Sequence, residues 1–277
     1  MIAAPPVLGS ADAKAIPTWR AAYSDRTAAL MATFCELAYD ARADVEAAIR
    51  PAGFEVKAWV EADGMAAFLA VNHAEFAVLA FRGTDNFQGW ELNLDAIRVP
   101  LASHPGVWVH AGFWKAWACM AAEIWVAAKL NVPDDLGLYV TGHSLGGAMA
   151  QIAAAELERD NLAACYTFGS PRVATVEFDA LVKCPHYRIV HGWDLVPSVP
   201  PAFPGGFMHS GDPRLLVGGR PACALRRDRA LIPRFAVDLW SLLVWPWLGQ
   251  FGAVDDHMIW AYRAALDGIA AARNGGA

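Results

Sequence analysis

Cysteine is scarce and poorly spaced for chemistry. The five residues Cys35, Cys119, Cys165, Cys184 and Cys223 are odd in number, widely separated and free of any Cys-x-x-Cys pair. That pattern argues against a disulfide framework or a zinc site and fits reduced structural thiols, so no metal is expected. Surplus positive charge is also missing, and a net charge of −6 argues against a nucleic-acid partner. The stretch from Met1 to Arg20 lacks a basic start and a continuous apolar run, being broken by Pro5, Pro6, Asp12, Lys14 and Pro17. A standard secretory leader is therefore not read there, and with the reduced thiols this gives a cytoplasmic location as the expectation. No repeat or low-complexity tract divides the 277 residues, so one domain spanning 1–277 is expected.

What the chain does have is apolar surface, 56% of residues with twelve tryptophans, more than a core usually requires. Some of it is expected to serve a ligand or an interface. The organising stretch is Leu138-Tyr139-Val140-Thr141-Gly142-His143-Ser144-Leu145-Gly146-Gly147-Ala148-Met149-Ala150, a short apolar strand, a cramped turn and an alanine-rich helix. The spacing Gly142-x-Ser144-x-Gly146 suits a serine held in a strained turn, with glycines where a Cβ would collide with neighbouring backbone. The helix that follows points N–H groups and its positive dipole end at whatever Ser144 attacks.

Around this stretch, apolar runs alternate with helical ones. Residues 1 to about 18 read as a loose lead-in. A buried helix is read from Thr27 to Tyr39, strands over Met65–Val71 and Phe76–Phe81, and a long helix through Trp117, Met120 and Ile124. Further strands cover Ala163–Phe168 and Tyr187–His191, and a last helix runs through Trp260, Tyr262 and Leu266. Strands alternating with helices predict an α/β fold with a mostly parallel central sheet and helices on both faces.

A serine hydroxyl needs an adjacent base, and the base needs an acid to fix its tautomer. After the Ser144 strand, the Tyr187–His191 strand ends in Asp194, and His257, in Asp255-Asp256-His257, is read as opening the last helix. The order serine, aspartate, histidine is that of α/β-hydrolases. Ser144 is then the nucleophile towards an ester carbonyl, His257 the base and Asp194 the acid. His110, His143, His186, His191 and His209 lie near strand boundaries or the elbow and are expected to hold structural hydrogen bonds. Asp212, Asp255 and Asp256 rival Asp194, with Asp255 or Asp256 better suited to capping the last helix. An oxyanion hole needs two donors. The N–H of Leu145 is one by geometry, and Thr84, at the end of the Phe76–Phe81 strand, offers an N–H and a hydroxyl or is an ordinary turn threonine.

Six ordered motifs carry a family resemblance: Phe81-Arg82-Gly83-Thr84, His110-Ala111-Gly112-Phe113, Gly142-His143-Ser144-Leu145-Gly146-Gly147-Ala148, Thr167-Phe168-Gly169-Ser170-Pro171-Arg172, Val190-His191-Gly192-Trp193-Asp194-Leu195-Val196-Pro197 and Asp256-His257. Together, over roughly Thr27 to Leu266, they resemble the class 3 (fungal-type) lipases. The resemblance implies an α/β-hydrolase fold acting on carboxylic esters, chiefly acylglycerols, without a cofactor. It supports Ser144, Asp194 and His257 as the triad and Thr84 with Leu145 as the oxyanion hole. The segment from Asp85 to Asn93, with Trp90, resembles the family's lid.

Between acid and base lies an apolar insertion, 221–254. It contains Arg226, Arg227, Arg229 and Arg234 and then a run through Leu239, Trp240 and Leu243. Arg234, Asp238 and Ser241 form one polar stripe on an otherwise apolar helix, which must bury its surface in the core, a bilayer or a cap. Asp238, Pro246, Gly249 and Gln250 interrupt a span, and the chain must return to His257, so no transmembrane segment is expected. A cap or lid lining the acyl pocket, with Leu239, Trp240 and Leu243 against substrate and transient contact with a lipid interface, is the reading taken; core packing is the alternative. The function expected is a serine lipase of triacylglycerol type on a lipid or ester substrate. A soluble-ester esterase or phospholipase A1 is the nearest alternative, and a catalytically idle lipid- or protein-binding protein the alternative of another class.

Overall fold

The computed structural model describes residues 6–84, 97–192, 194–202, 205–217, 224–227 and 253–274. Among these, the apolar runs build an eight-stranded sheet from β1 (Glu55–Ala62), β2 (Met65–Asn72), β3 (Phe76–Phe81), β6 (Leu138–His143), β7 (Leu162–Phe168), β8 (His186–His191), β9 (Asp212–Val217) and β10 (Ala224–Arg227), in that spatial order. Two short strands, β4 (Arg98–Pro100) and β5 (Trp108–His110), pair separately. Strands β3, β6, β7, β8 and β9 run parallel, while β1, β2 and β10 add antiparallel edges. The central strands β3, β6 and β7 are buried along their whole length. That is why they read as continuous apolar runs rather than alternating ones: helices cover both faces of a parallel sheet.

One face carries α1 (Asp25–Leu37) and α6 (Ile259–Asn274), which pack against each other and against Phe68, Ala70, Val78 and Tyr166. The other carries α3 (Ala111–Asn131) and α4 (Leu145–Glu156), over Ala67, Leu69, Val71, Leu79 and Val140. The period-two alternation of β2 thus divides its residues between two cores. Helix α1 starts where Ser24 accepts the Thr27 N–H, and its low charge lets Met31, Phe34 and Leu37 be buried completely. A short helix, α2 (Arg42–Ile49), precedes β1.

Two expectations are corrected. The lead-in is not loose from Leu8 onward: Leu8, Ala13 and Ile16 belong to the core, the Leu8 N–H donates to the Ala48 carbonyl at 3.0 Å, and Tyr139 donates to the Pro17 carbonyl. Asp255 and Asp256 do not cap the last helix, because a separate helix α5 (Ala253–His257) begins before them and breaks at Met258. Of the insertion 221–254, only β10 and residues 253 and 254 are described, and there Arg226 and Arg227 sit in an edge strand opposite Leu215 and Arg214. No helix among the described residues is long and apolar enough to cross a membrane.

Candidate active site

The carboxyl ends of β3, β6, β7 and β8 lie together, where open α/β sheets gather ligands. At the end of β6 the chain turns at Ser144 with φ 57° and ψ −129°, a left-handed conformation that side chains rarely adopt, and α4 begins at the next residue. The turn closes only with glycine beside it, since a Cβ on Gly142 would lie 2.0 Å from the Gly146 carbonyl oxygen. The Ser144 N–H donates to the Phe168 carbonyl at 2.9 Å, tying the elbow to β7. Its Oγ is buried and makes no hydrogen bond among the described residues.

Asp194 stands three residues beyond β8, its N–H bonded to the His191 carbonyl. His257 closes α5, and its Nδ1 lies 2.9 Å from both Asp194 carboxylate oxygens. A carboxylate only accepts, so Nδ1 carries the proton and the Nε2 lone pair is what the ring offers a hydroxyl. Asp194 Oδ1 also accepts the Val196 N–H at 3.0 Å. Both side chains are almost wholly buried, which strengthens the pairing by excluding water. Gly169 joins this pair to the elbow. It follows Phe168, has φ +55°, and a Cβ there would meet Asp194 Oδ2 at 2.5 Å and His257 Nδ1 at 3.1 Å.

Sequence reasoning missed Tyr262, assigned only to the last helix. Its hydroxyl donates to Asp194 Oδ2 and accepts the His191 N–H at 3.1 Å. Burial, then the Asp194 charge, pushes this phenol far above the usual tyrosine range, so it remains a donor. No local pattern in the sequence signals this role, which depends on the helix break at Met258. Asp256, in place of a cap, lies with Oδ1 3.4 Å from His191 Nδ1.

For the two expected oxyanion donors, Leu145 is the first residue of α4, where helix N–H groups have no partner within the helix. Thr84 follows Gly83, where a Cβ would lie 3.2 Å from Ser144 Cβ, and its Oγ1 is buried without a hydrogen bond among the described residues. The competing histidines have other work. His110 accepts the Phe113 N–H at the start of α3, His186 bonds Thr167 and Ser210, and His209 donates to the Pro197 carbonyl. Asp212 pairs with Arg214. The expected lid residue Trp90 and cap residues Leu239, Trp240 and Leu243 lie outside the described residues. Among the described residues no three His, Cys, Asp or Glu side chains are placed to hold a metal ion. A cleft of about 360 Å³ lined by Trp125, Lys129 and Arg159 lies at the opposite ends of the strands, away from Ser144.

Residues 78–203 match the family model for lipase (class 3). Secreted mono- and diacylglycerol lipase 1 of Fusarium solani is 37% identical over 163 residues, 56% of this chain and 49% of its own. Secreted mono- and diacylglycerol lipase A of Penicillium cyclopium is 31% identical over 142 residues, 49% of this chain and 47% of its own. The chain spans about half the length of the curated relatives it matches. Among solved structures, lipase II from Rhizopus niveus superposes with a TM-score of 0.61 at 24% identity, covering 72% of this chain and 81% of that one. The fold is that of the α/β-hydrolases, as expected.

The cytoplasmic expectation is overturned by these relatives, two of which are secreted lipases by name. The thiols behind it carry no such information. Cys35, Cys165 and Cys184 are buried, and burial pushes Cys184 up to about 12 and the other two upward as well. A thiol that stays protonated in a core is inert in either redox compartment.

Proposed function

We propose that the chain is a class 3 lipase, a serine carboxylic-ester hydrolase acting on acylglycerols; the match of residues 78–203 to that family's model and the 37% identity to a secreted mono- and diacylglycerol lipase support the reading. One observation carries the reading: a buried His257–Asp194 pair at 2.9 Å and, at the same end of the sheet, a serine held at positive φ whose Oγ has no hydrogen bond among the described residues. Ser144 Oγ attacks the ester carbonyl while His257 Nε2 takes its proton, and Asp194 stabilises the imidazolium that forms. The tetrahedral oxyanion is met by the N–H of Leu145 and by Thr84. Collapse expels the alcohol, which receives the proton from His257, and a water repeats the cycle on the acyl-enzyme. The names of the relatives support glycerides as substrates and work outside the cell; ester activity confined to the lysate of expressing cells, with none in the medium, would refute the second point.

The test is hydrolysis of a sparingly soluble medium-chain triacylglycerol and its mono- and diacyl counterparts, followed across the solubility limit, with Ser144→Ala as the blank. A rate that rises when droplets appear supports a lipase working at lipid interfaces. Saturation below the limit supports an esterase of soluble esters. No difference from the blank on any ester overturns the reading.

A further inference from the structure

His143 has no part in the acyl-transfer scheme, yet both its ring nitrogens are engaged one residue before Ser144. Nε2 lies 2.6 Å from the carbonyl oxygen of His257, and Nδ1 lies 2.8 Å from the hydroxyl of Tyr39. A carbonyl has no proton to give, so Nε2 carries the hydrogen. Nδ1 then presents its lone pair, and the Tyr39 O–H donates to it. The ring is buried, with its centroid 4.6 Å from that of His257. Burial, then the nearness of His257, holds His143 well below the ordinary histidine range.

We propose that His143 is a positioning residue for the base: as the Nε2–H tautomer selected by Tyr39, it clamps the His257 carbonyl and so sets where the His257 imidazole stands relative to Ser144. The inference rests on the acyl-transfer reading above. Three features argue for it. First, Asp194 engages His257 through Nδ1 of the ring, a bond that does not fix the His257 backbone. Its backbone sits at the end of a five-residue helix, followed by the break at Met258. So short a helix does not hold itself in place, and the His143 bond is a tie from the end of β6 to that break.

Second, the other tautomer would aim the Nε2 lone pair at a carbonyl oxygen 2.6 Å away. Tyr39 prevents this by filling Nδ1. A neutral His143 also spares His257 a like charge 4.6 Å off when it becomes an imidazolium. Third, the same hydroxyl reaches the oxyanion loop. A Cβ on Gly83 would lie 2.4 Å from the Tyr39 oxygen and 2.9 Å from the His143 carbonyl oxygen. The chain Tyr39, His143, His257 therefore runs between the loop bearing Thr84 and the helix bearing the base.

The test compares the full-length wild type with Tyr39→Phe, His143→Gln and His143→Phe, each standardised by fluorophosphonate titration of Ser144. Glutamine can place an amide N–H where Nε2–H stands; phenylalanine cannot. The expected result is a loss of about 10²-fold in kcat for His143→Phe with KM little changed, the scale of a small misplacement, and recovery to within about tenfold in His143→Gln. Histidine ¹⁵N spectra are expected to show His143 as Nε2–H in the wild type and as a tautomer mixture in Tyr39→Phe, with kcat lowered. A wild-type His143 protonated at Nδ1, or unchanged kcat in His143→Phe, overturns the positioning role. If His143→Phe does not fold, unchanged kcat in Tyr39→Phe overturns it instead. Failure of the wild type to label at Ser144 overturns the acyl-transfer reading and the positioning role with it, whereas labelling with unaltered turnover in the variants overturns the positioning role alone.

Discussion

The Tyr262 hydroxyl donates to Asp194 Oδ2 and accepts the His191 N–H, so one phenol joins the last helix, the end of β8 and the acid. Asp194 already receives His257 Nδ1 and the Val196 N–H. With Tyr262 it accepts from three groups, which fix the position of the carboxylate against His257.

Tyr262→Phe removes one donor from a buried carboxylate and leaves the buried His191 N–H without its acceptor. The expected outcome is a loss of about 1–3 kcal/mol in urea unfolding, the cost of an unsatisfied buried group, with kcat reduced about tenfold. Unfolding curves and turnover per titrated Ser144 check it. An unchanged kcat in a destabilised variant would mean that the phenol serves only the fold.

The elbow and the chain order of the proposed triad are legible in the sequence for a physical reason. The elbow is a steric statement about Gly142 and Gly146, and backbone sterics are local. Strands β2, β3, β6 and β7 were legible because burial on both faces leaves them continuously apolar. Tyr262 was not, because its role depends on the break at Met258, which sets the rotation of α6 and which no local pattern announces. Likewise the sequence places Asp256 as a cap, whereas α5 already starts at Ala253. The edge strand β1 alternates Glu55, Lys57 and Glu61 with Val56, Ala58 and Val60. That period-two signal marks a strand with one face exposed.

Ser144 stores strain. A non-glycine residue at φ 57° and ψ −129° costs about 1–3 kcal/mol, and its buried, unbonded Oγ adds to this. Ser144→Gly relieves both, against a glycine penalty of about 0.5–1 kcal/mol in the unfolded chain. The variant is expected to be inactive and about 1 kcal/mol more stable than the wild type. A urea midpoint at or below wild type, with an unchanged m-value, would show that the elbow is not strained.

Thr84 presents, beside the elbow, a buried Oγ1 with no partner among the described residues. Thr84→Val keeps the shape and discards the hydroxyl, whereas Thr84→Ser keeps the hydroxyl. If the hydroxyl meets the oxyanion, valine lowers kcat by about 10²–10³-fold and serine stays close to wild type. The valine variant is also expected to gain about 1 kcal/mol of stability, because an unsatisfied polar atom leaves the interior. Wild-type turnover in Thr84→Val would assign the oxyanion to backbone N–H groups alone.

His186 links the fold to pH. It is buried between the Thr167 and Ser210 hydroxyls at 3.1 and 3.3 Å, and burial, then Arg188, lowers it to about 3. The unfolded chain binds a proton at this residue below about pH 6.5, whereas the folded chain does not until near 3. Stability therefore rises with pH across that window and is lost as pH falls through it, with a slope of up to about 1.4 kcal/mol per pH unit from this one group. His143, shifted in the same direction, adds to it. Urea midpoints from pH 8 to 5 are expected to fall more steeply for the wild type than for His186→Gln, whose amide does not titrate. Carboxylate effects are common to both proteins, so the difference in slope isolates the imidazole. Equal slopes would mean that His186 accepts its proton inside the folded protein, and that its two hydroxyl partners rearrange to allow it.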